Sequence, residues 1–190
     1  MPESEIKTMR PSFKFKFINK YILTALALTT TVIATVPQQI KAQSNPGLTI
    51  FSGVERKDIL NYRLDFGGNV GGWDRYRLRV PGKKLTQGAA KFFISYPDYF
   101  NGKFDTDKIE VRNKNGDSLP LRQVTWDKES YIIEIELEEP ILESNKLEIV
   151  FSNVKNPDDI GTYYFQGQVL TPGQVPIRLV LGTWIVSINQ

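Results

Sequence analysis

Three arginines alternate along the segment WDRYRLRV and are the side chains best placed to bind a ligand. Arg75, Arg77 and Arg79 are two positions apart, so in a β-strand they project from one face. Guanidinium groups hold carboxylates and phosphates through paired, charge-assisted hydrogen bonds. The spacing therefore indicates a site for an anionic polysaccharide, phosphate or carboxylate, with Arg63 a candidate to join it from a neighbouring strand.

A competing interpretation of this stripe is internal pairing, and it is the one that we favour. Glu134, Glu136 and Glu138 alternate in the same way on another predicted strand. Opposite charges on adjacent strands stabilise a sheet by about 0.2–1 kcal/mol per pair. We therefore expect these glutamates to pair with the arginines, and ligand binding stays open as the alternative.

Aromatic residues offer a second kind of surface, because exposed rings can stack on carbohydrate. Seven aromatic residues could form such a platform, although we expect most of them to lie in the core: Trp73, Trp126, Trp184, Tyr96, Tyr99, Tyr163 and Tyr164. Tyr163 and Tyr164 are neighbours on a predicted strand, so one of them faces outward, and Tyr99 falls in a predicted loop. These three tyrosines are the candidate surface aromatics.

Closely spaced carboxylates suggest calcium only weakly. Asp105, Asp107 and Glu110 supply oxygen ligands, but their spacing matches no complete calcium loop, and acidic residues are common in turns. We predict no cofactor. The glycine run formed by residues 67, 68, 71 and 72 lacks the helix of a phosphate loop and is interpreted as a mobile hairpin loop.

Histidine and cysteine are both absent. Their absence excludes a thiolate nucleophile, a Ser-His-Asp triad, disulfides and the usual zinc ligands. The acidic pairs Asp158-Asp159 and Glu138-Glu139 could nominally hydrolyse glycosides, but neighbours on a strand face opposite ways. We predict that the protein is not an enzyme, and a carboxylate-based hydrolase is kept as an alternative.

The positive charge of the chain is concentrated in its first 42 residues. Residues 1–42 hold six basic and two acidic residues, which leaves eighteen basic and nineteen acidic residues beyond them, a net charge of −1. That charge predicts no affinity for nucleic acid. The basic residues up to Lys20, the apolar stretch 21–36 and the small residue Ala42 form the pattern of a cleavable signal peptide.

We predict a signal peptide over residues 1–42, a flexible linker over 43–55 and one domain over 56–190. An uncleaved membrane anchor is the alternative for the apolar stretch, and Met9 is an alternative start. The export signal predicts a location in the periplasm or at the cell surface.

The remaining chain shows short alternating runs between turn residues, which is typical of an all-β fold. We predict an immunoglobulin-like antiparallel β-sandwich of eight or nine strands. Its candidate strands are 60–66, 74–80, 90–96, 108–112, 119–126, 131–138, 146–151, 162–170 and 178–188. The segment 109–121 predicts a hairpin with its turn at Asn115-Gly116, and 99–108 a short helical turn capped by Asp105.

Three segments carry a resemblance to a known family: KIEVRNKNGDSLPLRQVTWDKESYIIEIELEEPI, LEIVFSNVKNPDDIGTYYFQGQVLTPG and LGTWIVSIN. Over residues 56–189 the chain resembles an exported cyanobacterial family known as a domain of unknown function, DUF2808. The resemblance implies no catalytic residue. A looser likeness to periplasmic copper-binding sandwiches lacks the histidine ligands.

Together these features predict an exported, non-catalytic binding or structural module of the cell envelope. An envelope glycan or protein is the expected partner. The membrane is involved only if the N-terminal segment is retained, and an accessory subunit of a membrane assembly is a further alternative.

We expect the protein recovered from producing cells to begin near Gln43 and to be soluble without detergent. Intact mass spectrometry after cell fractionation checks both points. A full-length species that needs detergent would instead show that the apolar stretch is kept as an anchor.

Overall fold

The computed structural model describes residues 53–142 and 144–190, which form a β-sandwich of two sheets. The predicted signal peptide and most of the predicted linker lie outside the described residues. The all-β sandwich expected from the alternating pattern is confirmed. No helix in the described part of the chain is long and apolar enough to cross a membrane.

The described residues contain eleven strands and three 3₁₀ turns. The strands are β1 (Ile59–Leu60), β2 (Tyr62–Leu64), β3 (Trp73–Val80), β4 (Ala89–Ser95), β5 (Ile109–Arg112), β6 (Ser118–Leu119), β7 (Leu121–Asp127), β8 (Ile132–Ile141), β9 (Leu147–Lys155), β10 (Gly161–Leu170) and β11 (Arg178–Ile188). The 3₁₀ turns are Arg56–Asp58, Gly82–Lys84 and Thr106–Lys108.

The strands divide into a six-stranded and a five-stranded sheet. Their orders are β1-β11-β10-β4-β8-β7 and β2-β3-β9-β5-β6. Neighbouring strands are antiparallel except for β1, which is parallel to β11. Because antiparallel sheets commonly pack one face on a core and leave the other in water, each sheet has an outer face available for binding.

The structure has more strands than the sequence predicts, because two predicted strands each change sheets. The predicted strand 60–66 becomes β1 and β2, with Leu60 paired to Trp184 and Tyr62 paired to Leu78. The predicted strand 119–126 is divided at Pro120 into β6 and β7. Proline lacks the amide hydrogen that would continue a ladder, which accounts for the second division.

The inward positions of the alternating strands form one core between the sheets. Tyr76, Leu78 and Val80 of β3 are fully buried, as the alternation predicts. Trp184 of β11 is also fully buried, and its Nε1–H donates a hydrogen bond of 3.1 Å to the carbonyl oxygen of Arg79. This bond joins the two sheets and fixes β3 against the core.

The glycine-rich loop between β2 and β3 is tied to the rest of the sandwich, contrary to the mobile loop expected from its composition. The amides of Phe66 and Gly68 donate to the buried carboxylate of Asp74 at 2.9 and 2.7 Å. Val70 and Gly71 donate to the carbonyls of Asn189 and Pro157. These amides are occupied, so they are not free to hold a phosphate.

The predicted helical turn over 99–108 is shorter in the structure. Only Thr106–Lys108 forms a 3₁₀ turn, and Asp105 makes no side-chain capping bond to it. Its carboxylate instead accepts a hydrogen bond of 2.8 Å from the side chain of Asn153. The segment is held by this contact with β9 rather than by a local cap.

Two glycines allow the cost of a close approach to be measured separately from the cost of positive φ. Gly182 and Gly173 have φ values of 142° and 117°, a region used almost only by glycine. A Cβ at Gly182 would collide with the carbonyl oxygen of Asp58, whereas nothing lies within 4 Å of one at Gly173.

We therefore expect Gly182→Ala to lower the free energy of unfolding by about 1–3 kcal/mol more than Gly173→Ala, because only the first overpacks the contact beside β1. Urea unfolding of both variants measures the difference. Equal losses would show that β1 moves aside without cost.

Candidate anion-binding face

The arginine stripe lies where the sequence places it, on the outer face of the five-stranded sheet. Along β3 the burial alternates, with Arg75, Arg77 and Arg79 partly exposed between fully or nearly fully buried neighbours. We call the outer surface of β2, β3, β9 and β5 the arginine face. Among the described strands, β3 contributes the most arginines to one face.

The arginines are paired, but not with the glutamates that the sequence suggested. Arg77 bonds to Asp65 and to Glu148, both at 2.9 Å. Arg79 lies 3.5 Å from Glu148, and Arg75 lies 3.7 Å from Asp65. Two acidic residues therefore hold all three guanidinium groups in place.

The expected pairing with Glu134, Glu136 and Glu138 is wrong because these residues belong to β8, in the other sheet. Glu136 pairs with Lys91 at 3.0 Å and with Arg122 at 3.2 Å. Glu134 is also within 3.4 Å of Lys91. Alternation along a strand does not specify which strands become neighbours, so the wrong partners were selected.

The surroundings of Asp65 and Arg77 favour the charged forms of both side chains. Burial raises the pKa of Asp65, but hydrogen bonds from Arg63 and Arg77 outweigh it and hold the pKa below its ordinary value of 3.8. The hydrogen bond to Glu148 raises the pKa of the Arg77 guanidinium above its ordinary value. Asp65 and Arg77 therefore stay ionised at neutral pH.

An apolar residue lies opposite the middle arginine, on the neighbouring strand. Val150 of β9 is fully buried, although it alternates with Glu148 and Ser152 on the outer side of the strand. It stands between Arg77 on β3 and Glu110 on β5 in the register of the sheet. The aliphatic part of an arginine can cover such a residue while its charged end stays in water, which also restrains the guanidinium.

The β5–β6 hairpin raises a wall beside this face. Asn113 accepts hydrogen bonds from the amides of Asn115 and Asp117 at 2.9 and 3.0 Å, and Gly116 has a φ of 94°. The predicted hairpin with its turn at Asn115-Gly116 is therefore confirmed. The wall brings Arg112 and Lys114 to the edge of the arginine face.

Between this wall and β3 lies a depression of about 410 Å³, which we call the hairpin depression. Its cationic lining residues are Arg77, Arg79, Arg112, Lys114 and Lys146. Glu148 is the one carboxylate in its lining, and it already bonds to Arg77. A single carboxylate engaged with arginine offers no acid and base pair for hydrolysis.

A second depression, of about 250 Å³, adjoins the first and shares Arg79 and Lys146 with it. We call it the terminal depression, because residues near the start of the domain line it. Its other cations are Arg56, Lys57, Lys83 and Lys84. No carboxylate lines it.

Some of the cations that line the depressions are paired with a carboxylate, and others are not. Lys57 pairs with Glu55 at 2.8 Å and Lys84 with Asp58 at 2.8 Å. Four other lining residues form no ion pair within residues 53–142 and 144–190: Arg56, Lys83, Lys114 and Lys146. The excess positive charge therefore lies around the depressions rather than on the stripe itself.

The opposite end of the arginine face carries aromatic rings. Trp73 begins β3, shares the outer side with Arg75, and is 58% exposed. The ring of Phe66 lies 6.0 Å from the guanidinium carbon of Arg75 and is 59% exposed. Trp73 is thus not among the aromatic residues that lie in the core, and its spacing from Arg75 already indicated an outward position.

The three candidate tyrosines do not form one surface. Tyr164 is half-exposed and faces outward, as predicted for one of the pair, whereas Tyr163 is 2% exposed and cannot contact a ligand directly. Its hydroxyl donates to the carbonyl of Asp159 at 2.8 Å. Tyr99 is exposed, and its ring packs 5.5 Å from that of Tyr163.

The weak calcium candidates are not assembled into a site. Glu110 bonds to Arg112 at 2.8 Å and to Ser118 at 2.7 Å, and these bonds lower its pKa. Asp105 bonds to Asn153 instead. No group of three acidic side chains that could hold a metal occurs among residues 53–142 and 144–190.

The fold and the surface together define a class: an immunoglobulin-like β-sandwich with a cationic outer face. A family model described as "Protein of unknown function (DUF2808)" matches residues 48–188. The chain therefore belongs to this family, as its sequence resemblance indicated. No curated protein matches it.

Three solved structures show a general likeness to the sandwich. BslA, a bacterial hydrophobin, aligns with a TM-score of 0.42 and 15% identity over 65% of this chain and 97% of that one. The collagen-binding domain of a Staphylococcus aureus adhesin aligns with a TM-score of 0.39 and 9% identity over 69% of this chain and 97% of that one. An uncharacterised immunoglobulin-like protein from Nocardia farcinica aligns with a TM-score of 0.43 and 10% identity over 70% of this chain and 99% of that one.

The hydrogen bonds from Arg63 and Arg77 to Asp65 predict how the stability of the protein changes in acid. A carboxyl whose folded pKa is lowered contributes stability above its unfolded pKa, and this contribution is lost as the pH falls through the folded pKa. We expect Asp65→Asn to lower the free energy of unfolding by about 1–2 kcal/mol at neutral pH. Its remaining stability should then fall less steeply on acidification than that of the wild type.

Urea unfolding at neutral pH and below the ordinary pKa of 3.8 measures both effects. Asp107→Asn is the matched control, because this exposed carboxylate makes no hydrogen bond among the described residues. An unchanged slope in Asp65→Asn would contradict the coupling of Asp65 to the arginines.

Proposed function

We propose that the protein is an exported, non-catalytic binding module of the cell envelope, and that its two depressions hold the anionic groups of an envelope polymer. The observation that carries this proposal is the pair of adjoining depressions that share Arg79 and Lys146. Nine cations line them together with one carboxylate, Glu148.

The local charge supports a negatively charged ligand. The part of the chain beyond residue 42 has nineteen acidic and eighteen basic residues, so a surface lined by nine cations is a segregated patch rather than the average of the molecule. Such a patch attracts anions electrostatically, and its arginines add paired hydrogen bonds to carboxylate or phosphate. Fixed guanidinium groups lose little freedom on binding.

The shape of the surface supports a polymer rather than a small molecule. Two depressions that share two lining residues offer successive positions for anionic groups along one chain. Neither is the deep, mostly apolar cavity in which a drug-sized ligand is enclosed. The lining also lacks a second carboxylate and any histidine or cysteine, which supports binding without catalysis.

The location in the proposal rests on the sequence. The signal pattern over residues 1–42 supports export, and an exported domain meets the acidic polymers of the envelope. Membership of the family is consistent with this proposal, since its description assigns no activity.

The test is affinity for a soluble polyanion. We expect the protein to bind polygalacturonate and long-chain polyphosphate, and to release both as salt is raised, because exposed charges are screened over about 8 Å at physiological ionic strength. The double variant Arg79→Gln, Lys146→Gln should bind both about tenfold more weakly or worse, since each lost charged hydrogen bond is worth about 1.5–3 kcal/mol. Isothermal titration calorimetry measures these affinities.

The matched control is Arg122→Gln, Lys128→Gln, which removes one arginine and one lysine from the six-stranded side. Arg122 lies in β7 and Lys128 directly follows it. This control should bind as the wild type does. Equal weakening in both double variants would mean that only net charge matters, and would refute the depressions as the site.

A further inference from the structure

We propose that the polymer is an acidic polysaccharide, and that its sugar rings stack on Trp73 at the far end of the arginine face from the depressions. This inference rests on the proposed function and names the ligand class for the same face. It is carried by an exposed tryptophan on the strand that also supplies the arginines.

Trp73 is placed on the surface by the alternation of β3. It lies two positions before Arg75, on the same side of the strand, with more than half of its side chain exposed. Tryptophan is highly buried on average, so its exposed ring in line with a stripe of cations supports a binding role. The amino group of Lys155 lies 5.7 Å from the ring centroid.

A second exposed ring, that of Phe66, lies 6.0 Å from the guanidinium carbon of Arg75. The backbone amide of Phe66 donates to Asp74 at 2.9 Å, and the amide of Gly68 donates to the same carboxylate at 2.7 Å. The backbone that carries this ring is therefore fixed before any ligand arrives. A preorganised backbone avoids part of the conformational entropy that binding otherwise costs.

Rings and cations follow one line along β3. Trp73 and Arg79 are six residues apart, which corresponds to about 20 Å in an extended strand, and Arg75 and Arg77 lie between them. A ligand that reaches both ends must be elongated. It must also present apolar surface to the rings and negative charge to the cations.

An acidic polysaccharide meets both requirements. The C–H groups on one side of a sugar ring form an apolar face with slight positive charge, and the face of an aromatic ring is negative. Uronate carboxylates on the same chain are the groups that guanidinium binds in pairs. A polyphosphate would use the cations alone, and a neutral glycan would use the rings alone.

The experiment compares polygalacturonate, its fully methyl-esterified neutral form and polyphosphate, using the full chain and the variant Trp73→Ala. We expect Trp73→Ala to weaken binding of polygalacturonate about tenfold and to leave binding of polyphosphate unchanged. Trp73→Phe, which keeps a ring, should restore most of the affinity. The neutral ester should bind the wild type far more weakly than polygalacturonate does.

Tyr164→Ala is the matched control, because it removes an exposed ring from the six-stranded sheet. It should bind every ligand as the wild type does. Circular dichroism and thermal unfolding confirm that each variant is folded. Trp73 is exposed, so its replacement should leave the core intact.

The outcomes separate this inference from the proposed function. If Trp73→Ala binds both polyanions as the wild type does, or loses affinity for both equally, sugar stacking is refuted while anion binding stands. If the wild type binds no polyanion, the proposed function itself fails. Tighter, Trp73-dependent binding of single-stranded oligothymidylate would show that the ring stacks on bases, and would overturn the inference.

Discussion

The position of β3 depends on one hydrogen bond that crosses the core, from Trp184 Nε1 to the carbonyl oxygen of Arg79. The indole that donates it is completely buried, so its polar group must find a partner or cost free energy. Gly167 of β10 makes room for the ring, because a Cβ there would lie 2.6 Å from it. The strand that presents the arginines outward is thus held from within by a residue on the opposite sheet.

The other end of β3 depends on the buried carboxylate of Asp74. A charge in the interior is tolerated only when it is well hydrogen-bonded, and Asp74 accepts from the amides of Phe66, Gly68 and Arg75. The register between β3 and β9 shifts between Asp74 and Tyr76, so the regular pairing of the two strands is interrupted there. The same interactions close the glycine-rich loop and fix the backbone at Phe66.

The alternation of apolar and polar residues predicted most strands and the faces of their residues, because successive side chains of a β-strand point to opposite faces of the sheet. The hairpin turn at Asn115-Gly116 was also predicted, since Gly116 supplies the positive φ that the turn requires. What the alternation could not supply was the order of the strands. β3 and β8 therefore appeared to be possible neighbours, and Glu148 and Asp65 were missed as the partners of the arginines.

The depressions were missed for a related reason. Their cations come from four separate stretches of the chain, represented by Arg56, Lys83, Arg112 and Lys146, and no local pattern links these stretches. Trp73 is different, because its distance from Arg75 carried the signal and only the general tendency of tryptophan to be buried argued against it. A bulky residue in phase with a charged stripe takes the outer side of its strand, whatever its type.

The structure also changes the role of the arginine stripe. Arg77 is mostly covered, bonds to two carboxylates and lies opposite Val150 on the next strand, so it acts as a support that holds the face together. The charge of Arg77, which Glu148 and Asp65 already neutralise, attracts a ligand weakly. In the proposed function the attraction comes mainly from other cations of the depressions, such as Lys114 and Lys146.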